Sequence, residues 1–263
     1  MDRKKYQAVL MDVDGTLLDF NKAEVLGIRE VMKAYGVEPT MEREALYHEI
    51  NKGLWESFER GEIPKQRIMD TRFSLFFGKI QEEICGGSCE SSRFGRDGGF
   101  FGSGLTELEF GIRAEKLYRQ QLNEGAFLIS GALEVCRYLS EKYPVYVVTN
   151  GVSETQYHRI EKAGLHPYFK DIFVSEAAGS QKPQKEFFQY CFSKMPSCSP
   201  EHMIIIGDSL TSDIKGGCAA GTDTCWYNPV GSGSSYYTNP EKWDKDIRID
   251  YEIEDLLQIR GIL

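Results

Sequence analysis

Short, unbroken apolar runs separated by helical stretches set out the plan of the chain. Residues 8–11 are continuously apolar and end in Asp12-Val-Asp14-Gly-Thr. A run this short with no polar alternation predicts a strand buried on both faces of a parallel sheet. From 21 to about 122 the spacing turns helical. Val25, Ile28, Met32 and Tyr35 share one face, and Leu46, Ile50, Leu54 and Phe58 share another. Ile68, Arg72, Phe76, Ile80 and Ile84 continue the pattern, with Met69, Phe73 and Phe77 beside them. Thr106 and Glu109 have capping-box spacing and open a fourth helix. These four predict an antiparallel bundle inserted after the first strand.

Strand and helix then alternate. A helix is expected over 132–142 and a strand over 145–148, ending in Thr149, Asn150 and Gly151. Ser153 and Gln156 predict a capping box and a helix towards Ala163. A strand over 172–174 comes next, and Pro183 opens a helix immediately after Lys182. Residues 203–206 are strongly apolar and close in Gly207, Asp208 and Ser209, with a helix on to Ala220. A strand over 223–227, a loop over 231–235, a short strand near Ile247 and a terminal helix near Leu256 complete the reading. The fold class is α/β, a Rossmann-like parallel sheet with helices on both faces plus an inserted all-helical domain. The core takes 1–20 and 126–263, and the insert takes 21–125. Within it, 86–104 holds seven glycines and four serines, too little apolar surface to offset its ordering entropy. It reads as a flexible loop whose Phe94, Phe100 and Phe101 leave open a lid over substrate.

Composition narrows the partners. A formal net charge of −9 argues against a nucleic-acid polymer but allows a small anionic substrate received by a metal and a local cation. No run of 18 apolar residues and no apolar leader are seen, so neither membrane nor export is expected. The seven cysteines include no close pairs of zinc-site spacing, as Cys85 with Cys89 and Cys191 with Cys198 show. Reduced thiols in a cytoplasmic protein are expected. The four histidines form no ligand-like pair and receive no chemistry.

The carboxyl ends of the apolar runs carry the chemistry. They finish in Asp12, Thr149 and Asp208, with Lys182 at a comparable position. In a parallel sheet these ends share one edge, where open α/β folds bind ligands. Helix starts at Ser153, Pro183 and Ser209 would aim their positive ends there, favouring phosphate. Each feature has a plainer reading. Lys182 alone would be a solvated lysine, Ser209 and Thr211 simple caps, and Trp55 and Phe58 bundle core. Together they suit phosphoryl transfer through an aspartyl intermediate. Asp12 attacks and binds Mg²⁺ with Asp208, while Asp14 protonates the leaving oxygen and later activates water. Lys182 neutralises charge, Thr149 and the following amides hold phosphoryl oxygens, and Asp213 orients the site from behind or through a water.

The ordered set Asp12-Val-Asp-Gly-Thr, Thr149-Asn150, Lys182-Pro183 and Gly207-Asp208-Ser-Leu-Thr-Ser-Asp213 resembles the four motifs of the haloacid dehalogenase superfamily, over residues 8 to about 220. The resemblance implies that Asp12 is the nucleophile, and that Asp14 is the acid/base and lends a metal its backbone carbonyl. The helical insert corresponds to that family's cap. An aspartate at position 14 favours a phosphatase or phosphomutase over a dehalogenase. Asn51-Lys-Gly-Leu-Trp55, with Phe58, Glu59, Gly61 and Glu62, looks like the cap of bacterial pyrimidine 5′-nucleotidases; Cys225-Trp226-Tyr-Asn228 looks like their core. That implies a Mg²⁺-dependent hydrolase of nucleoside monophosphates, with Asn51 and Trp55 setting specificity and Thr149, Asn150 and Lys182 binding phosphate. The chain is expected as a monomer or homodimer. A sugar-phosphate phosphatase or phosphomutase is the alternative, and a non-catalytic binding protein the more distant one.

Overall fold

The computed structural model describes residues 6–84, 107–229 and 247–263. The loops expected over 86–104 and 231–235, and the Thr106 cap, lie outside them. The chain divides into two compact units, Met1–Phe20 with Ala126–Leu263 and Asn21–Gly125.

The first unit is built on a six-stranded parallel sheet of order β3-β2-β1-β4-β5-β6. Its strands are β1 (Ala8–Met11), β2 (Val145–Thr149), β3 (Asp171–Val174), β4 (Met203–Gly207), β5 (Asp223–Tyr227) and β6 (Tyr251–Ile253). Successive side chains of a strand point to opposite faces, and both faces here are covered. Val9, Met11, Ile204 and Ile206 pack with Val135, Cys136 and Leu139 of α5 (Ala132–Ser140), Ile160 of α6 (Ser153–Lys162) and Leu256 and Ile259. Ala8, Leu10, Met203 and Ile205 pack with Phe187, Phe188 and Cys191 of α8 (Lys185–Ser193). Double coverage is why the central strands β1 and β4 are uniformly apolar. From β1 the chain winds outward to β2 and β3, then returns to lay β4 on the other side of β1. The direction of winding therefore reverses between β1 and β4, and such a switch point leaves a crevice at the strands' carboxyl ends.

Among the described residues the second unit holds helices and no strand: α1 (Phe20–Ala34, entered from the first unit), α2 (Met41–Glu59), α3 (Lys65–Ile84) and α4 (Glu107–Glu124). The α3 face is as expected, with Ile68, Met69, Arg72, Phe73, Phe76, Phe77 and Ile80 buried. On α2 the expected face is displaced. Phe58 is buried as expected, but Leu46, Ile50 and Leu54 are only half-buried, whereas Tyr47 and Asn51 are fully so. Tyr47 stacks on Phe73 with ring centroids 5.5 Å apart, and Asn51 joins a buried polar cluster, so side-chain size and pairing outweigh periodicity.

Other expectations shift by a few residues. The helix after Lys182 begins at Lys185, because the Lys182 main chain is tied to the Asn150 side chain and stays outside it; the Lys182–Pro183 peptide is cis. An unforeseen single turn, α7 (Ser175–Ala178), follows β3. Beyond β4 the chain makes one wide turn at Leu210–Ile214, capped by Ser209, before α9 (Lys215–Ala220). The last strand lies at Tyr251–Ile253 rather than near Ile247, which packs by Leu210, Ile214 and Trp226 instead. The terminal helix is a tight 3₁₀ stretch, Leu256–Gly261, held by an Asp255–Gln258 capping box.

Candidate active site

Asp12 follows the last residue of β1 and Asp208 the last residue of β4, on the two strands that flank the switch point. The sharp turn after Asp12 needs Gly15, which has φ +88° and lies against the Asp208 carboxylate; a Cβ there would sit 2.7 Å from Asp208 Cγ. Thr16 fastens the two loops, donating from Oγ1 to Asp208 Oδ1 at 3.3 Å and accepting the Asp208 N–H at 3.1 Å. The Trp226 indole donates to the Asp208 carbonyl at 2.9 Å.

Lys182 is 1% exposed and far from a solvated lysine. Its ammonium donates to Asp12 Oδ1 and Asp213 Oδ1, both at 2.6 Å, and to the Val148 carbonyl at 2.8 Å. The Asn150 amide grips the Lys182 main chain from both sides, donating to its carbonyl and accepting its N–H, each at 2.9 Å. Asp213 holds Lys182 with one oxygen and accepts the Ser209 N–H with the other at 3.1 Å.

Three carboxylates, Asp12, Asp208 and Asp213, each bring one oxygen within 4.8 Å of the others. So much buried negative charge is costly, and the acidities respond. Burial, reinforced by Asp213 and opposed by Lys182, raises Asp12 from the ordinary 3.8 to about 7. Burial, then Asp12 and Asp213, raise Asp208 well above the carboxylate range. Burial works against the Lys182 ammonium, yet Asp12 and Asp213 lift its pKa above the ordinary value. One further atom marks the imbalance: buried Asp12 Oδ2 has no hydrogen-bond partner among the described residues. An all-oxygen donor set with surplus negative charge and an orphaned carboxylate oxygen fits a hard divalent cation.

Asp14 projects beside this cluster. It is bound by two residues that pattern reading did not single out for chemistry: Arg159, and Gln156, which donates at 2.7 Å. Gln156 also donates to Thr149 Oγ1 at 2.7 Å. The expected Ser153–Gln156 capping box is therefore absent. Val152 is the cap position, the Ser153 N–H goes to Glu176, and the Gln156 side chain turns inward. The only sequence signal was a polar pair at i and i+3 on a helix next to a polar strand end. Asn51 and Trp55 lie in the helical unit. Asn51 donates to Glu24 at 2.7 Å and accepts from Arg72 at 3.1 Å, so its amide is engaged at both ends. Half-buried Trp55 meets Phe58 edge-on at 5.6 Å.

Comparison with known proteins identifies the family. The model of haloacid dehalogenase-like hydrolases matches residues 6–221. YfnB of Bacillus subtilis, named as a HAD-hydrolase, is 43% identical over 226 residues, 86% of each chain. Its magnesium-bound crystal structure matches with a TM-score of 0.79 and 40% identity, covering 98% of this chain and 99% of that one. The pyrimidine 5′-nucleotidase PynA of Streptococcus pneumoniae is 35% identical over 85% of this chain and 84% of its own. The pyrimidine 5′-nucleotidase YjjG of Escherichia coli is 26% identical over 85% and 87%. With the four motifs gathered on one sheet edge and the family model covering most of its length, the chain belongs to the haloacid dehalogenase-like hydrolases.

Proposed function

We propose that the protein is a Mg²⁺-dependent phosphomonoesterase working through an aspartyl phosphate on Asp12, with pyrimidine nucleoside monophosphates as substrates. The observation that carries the reading is the state of Asp12: one oxygen is pinned by Lys182 and the other is buried without a partner among the described residues. A carboxylate so held is oriented yet keeps a lone pair for phosphorus.

Asp12 and Asp208 would hold the ion, with the Asp14 carbonyl, while Asp213 steadies Lys182 behind them. When bound, the ion supplies positive charge to the phosphoryl oxygens and to the carboxylate cluster. Asp12 forms a bond to phosphorus as the bond from phosphorus to the ester oxygen breaks, and Asp14 gives that oxygen its proton. In the second half a water attacks phosphorus and loses its proton to Asp14, and the bond to Asp12 breaks, returning both carboxylates to their starting states. Lys182 offsets charge on Asp12 throughout, and Thr149 with the Asn150 main-chain amide accommodates the phosphoryl oxygens, the Gly151 amide being given to the Ser175 hydroxyl at 3.1 Å.

The nucleotide preference is supported by the names of two relatives, PynA and YjjG. Selection among esters is assigned to the helical unit. There Trp55 retains exposed ring surface for stacking, and Asn51, engaged with Glu24 and Arg72, supports α2 beneath it. The free thiols of Cys136, Cys191, Cys198, Cys218 and Cys225 suit a reducing compartment such as the cytoplasm. Phosphate release from a panel of nucleoside and sugar monophosphates, with Mg²⁺ and with a chelator, tests the proposal. Metal-dependent release with a higher kcat/KM for pyrimidine nucleotides is expected. A preference for hexose phosphates would overturn the substrate assignment, and undiminished release under chelation the metal assignment.

A further inference from the structure

Behind Asp14, one face of α6 carries a hydrogen-bonded chain that joins the two halves of the site. Arg159 Nη1 donates to Asp14 Oδ1, and Gln156 Nε2 donates to Asp14 Oδ2 at 2.7 Å. Gln156 Nε2 also donates to Thr149 Oγ1 at 2.7 Å, while Gln156 Oε1 accepts from Arg159 Nη1 at 3.3 Å. Thr149, Gln156 and Arg159 are all at most 2% exposed. Space for the amide comes from Gly151: a Cβ there would lie 2.9 Å from Gln156 Cγ and 3.0 Å from Nε2.

The donor inventory fixes every orientation in the chain. A guanidinium can only donate, so the Gln156 oxygen must face Arg159 and its NH₂ must face Asp14 and Thr149. Both amide hydrogens are then spent, one on each. Thr149 Oγ1 is an acceptor towards Gln156, so its own proton is directed elsewhere, and among the described residues it donates no hydrogen bond. Asp14, with each oxygen held by a different fixed donor, has one carboxylate plane open to it.

We infer that Gln156 and Arg159 are positioning residues, fixing the Asp14 carboxylate for proton transfer and turning the Thr149 hydroxyl into a donor for the transferring phosphoryl group. The inference rests on the phosphomonoesterase reading. It assigns one side chain, Gln156, to couple the proton-transfer residue with the phosphate-binding strand end. Neither residue touches the reacting atoms.

A leaving-group comparison separates positioning from mere support of the fold. An aryl phosphate with an acidic phenol departs with little need of a proton, whereas an alkyl phosphate needs one fully. Gln156→Met keeps the volume and deletes the donors, and Gly151→Ala keeps every donor and displaces the amide. Both should lose kcat/KM, which reports transfer to Asp12 and not the shared hydrolysis of the adduct, about 10- to 100-fold more on the alkyl than on the aryl ester, the alanine variant less severely. Arg159→Lys should recover part of what Arg159→Met loses, again selectively on the alkyl ester. Equal losses of kcat/KM on the two esters, or losses that follow the melting temperature, would overturn the inference; if Gln156→Met does not fold, Gly151→Ala decides. A wild-type protein that releases phosphate from neither ester overturns the phosphomonoesterase reading itself and the inference with it, an outcome visible before any variant is made.

Discussion

Replacing Lys182 by methionine removes the ammonium between Asp12 and Asp213 while keeping a side chain of similar length. Each ion pair is 2.6 Å long and buried. At an effective dielectric of about 20, one such pair carries about 6 kcal/mol of attraction before desolvation is counted. Desolvation offsets much of that, and removing one partner of a buried pair costs about 3–5 kcal/mol in practice. The variant can escape part of the cost by protonation. Burial and Asp213 already raise Asp12 to about 7 against the pull of Lys182, and without the lysine it must rise further. A carboxyl whose folded pKa exceeds its unfolded one favours the folded state when protonated, and that contribution fades as pH climbs through the folded value. Urea denaturation in EDTA should therefore show a loss of about 3–5 kcal/mol at pH 8 and distinctly less at pH 5.5. Phosphate release should fall at least ~100-fold, about 2.7 kcal/mol of barrier. A loss below about 1 kcal/mol at both pH values is what a solvated ion pair gives, and it would refute the buried-cation account.

Asp12→Asn should abolish turnover yet stabilise the metal-free protein at neutral pH, since it deletes a carboxylate that burial and Asp213 disfavour more than Lys182 favours it; paired activity and urea assays check both halves. In the wild-type chain without metal, stability should decline between about pH 4 and pH 7. The rise of Asp12 from 3.8 to about 7, with Asp208 raised beside it, sets that window, and Mg²⁺ should flatten the decline; an unchanged slope with Mg²⁺ counts against the ion site. Leu10→Ala, in a fully buried strand position, should cost about 2–5 kcal/mol without changing KM, measured by denaturation and steady-state kinetics. Trp55→Ala should erode the preference for nucleotides over an aryl phosphate while altering stability little, because its ring is only half-buried. A large loss of stability would make it bundle core instead.

The strands were legible because burial on both faces leaves a sequence no choice but continuous apolar runs, as at 8–11 and 203–206. Their carboxyl ends were legible because Asp12, Thr149 and Asp208 interrupt those runs abruptly. The α2 face was misread because periodicity weighs Leu46, Ile50 and Leu54 alike and cannot foresee that Asn51 is satisfied by Glu24 and Arg72 inside the unit. Gln156 and Arg159 escaped for a related reason. Gln156 fits a capping box in spacing, and only the fold reveals that Asp14, 142 residues earlier, takes its amide instead. The start of α8 moved from Pro183 to Lys185 through the Asn150–Lys182 pairing, which joins positions 32 residues apart and leaves no local trace. Local pattern reports burial and chain breaks well, but it is silent about which polar side chains find one another.

The central claim, that Asp12 carries the phosphoryl group, is tested most directly by acid-quenching the Asp14→Asn variant during turnover and mapping the adduct by peptide mass spectrometry. Without its proton acceptor the second half-reaction should slow, and a phosphoryl adduct should accumulate on the peptide containing residue 12 and fragment to Asp12. An adduct on any other residue would contradict the account.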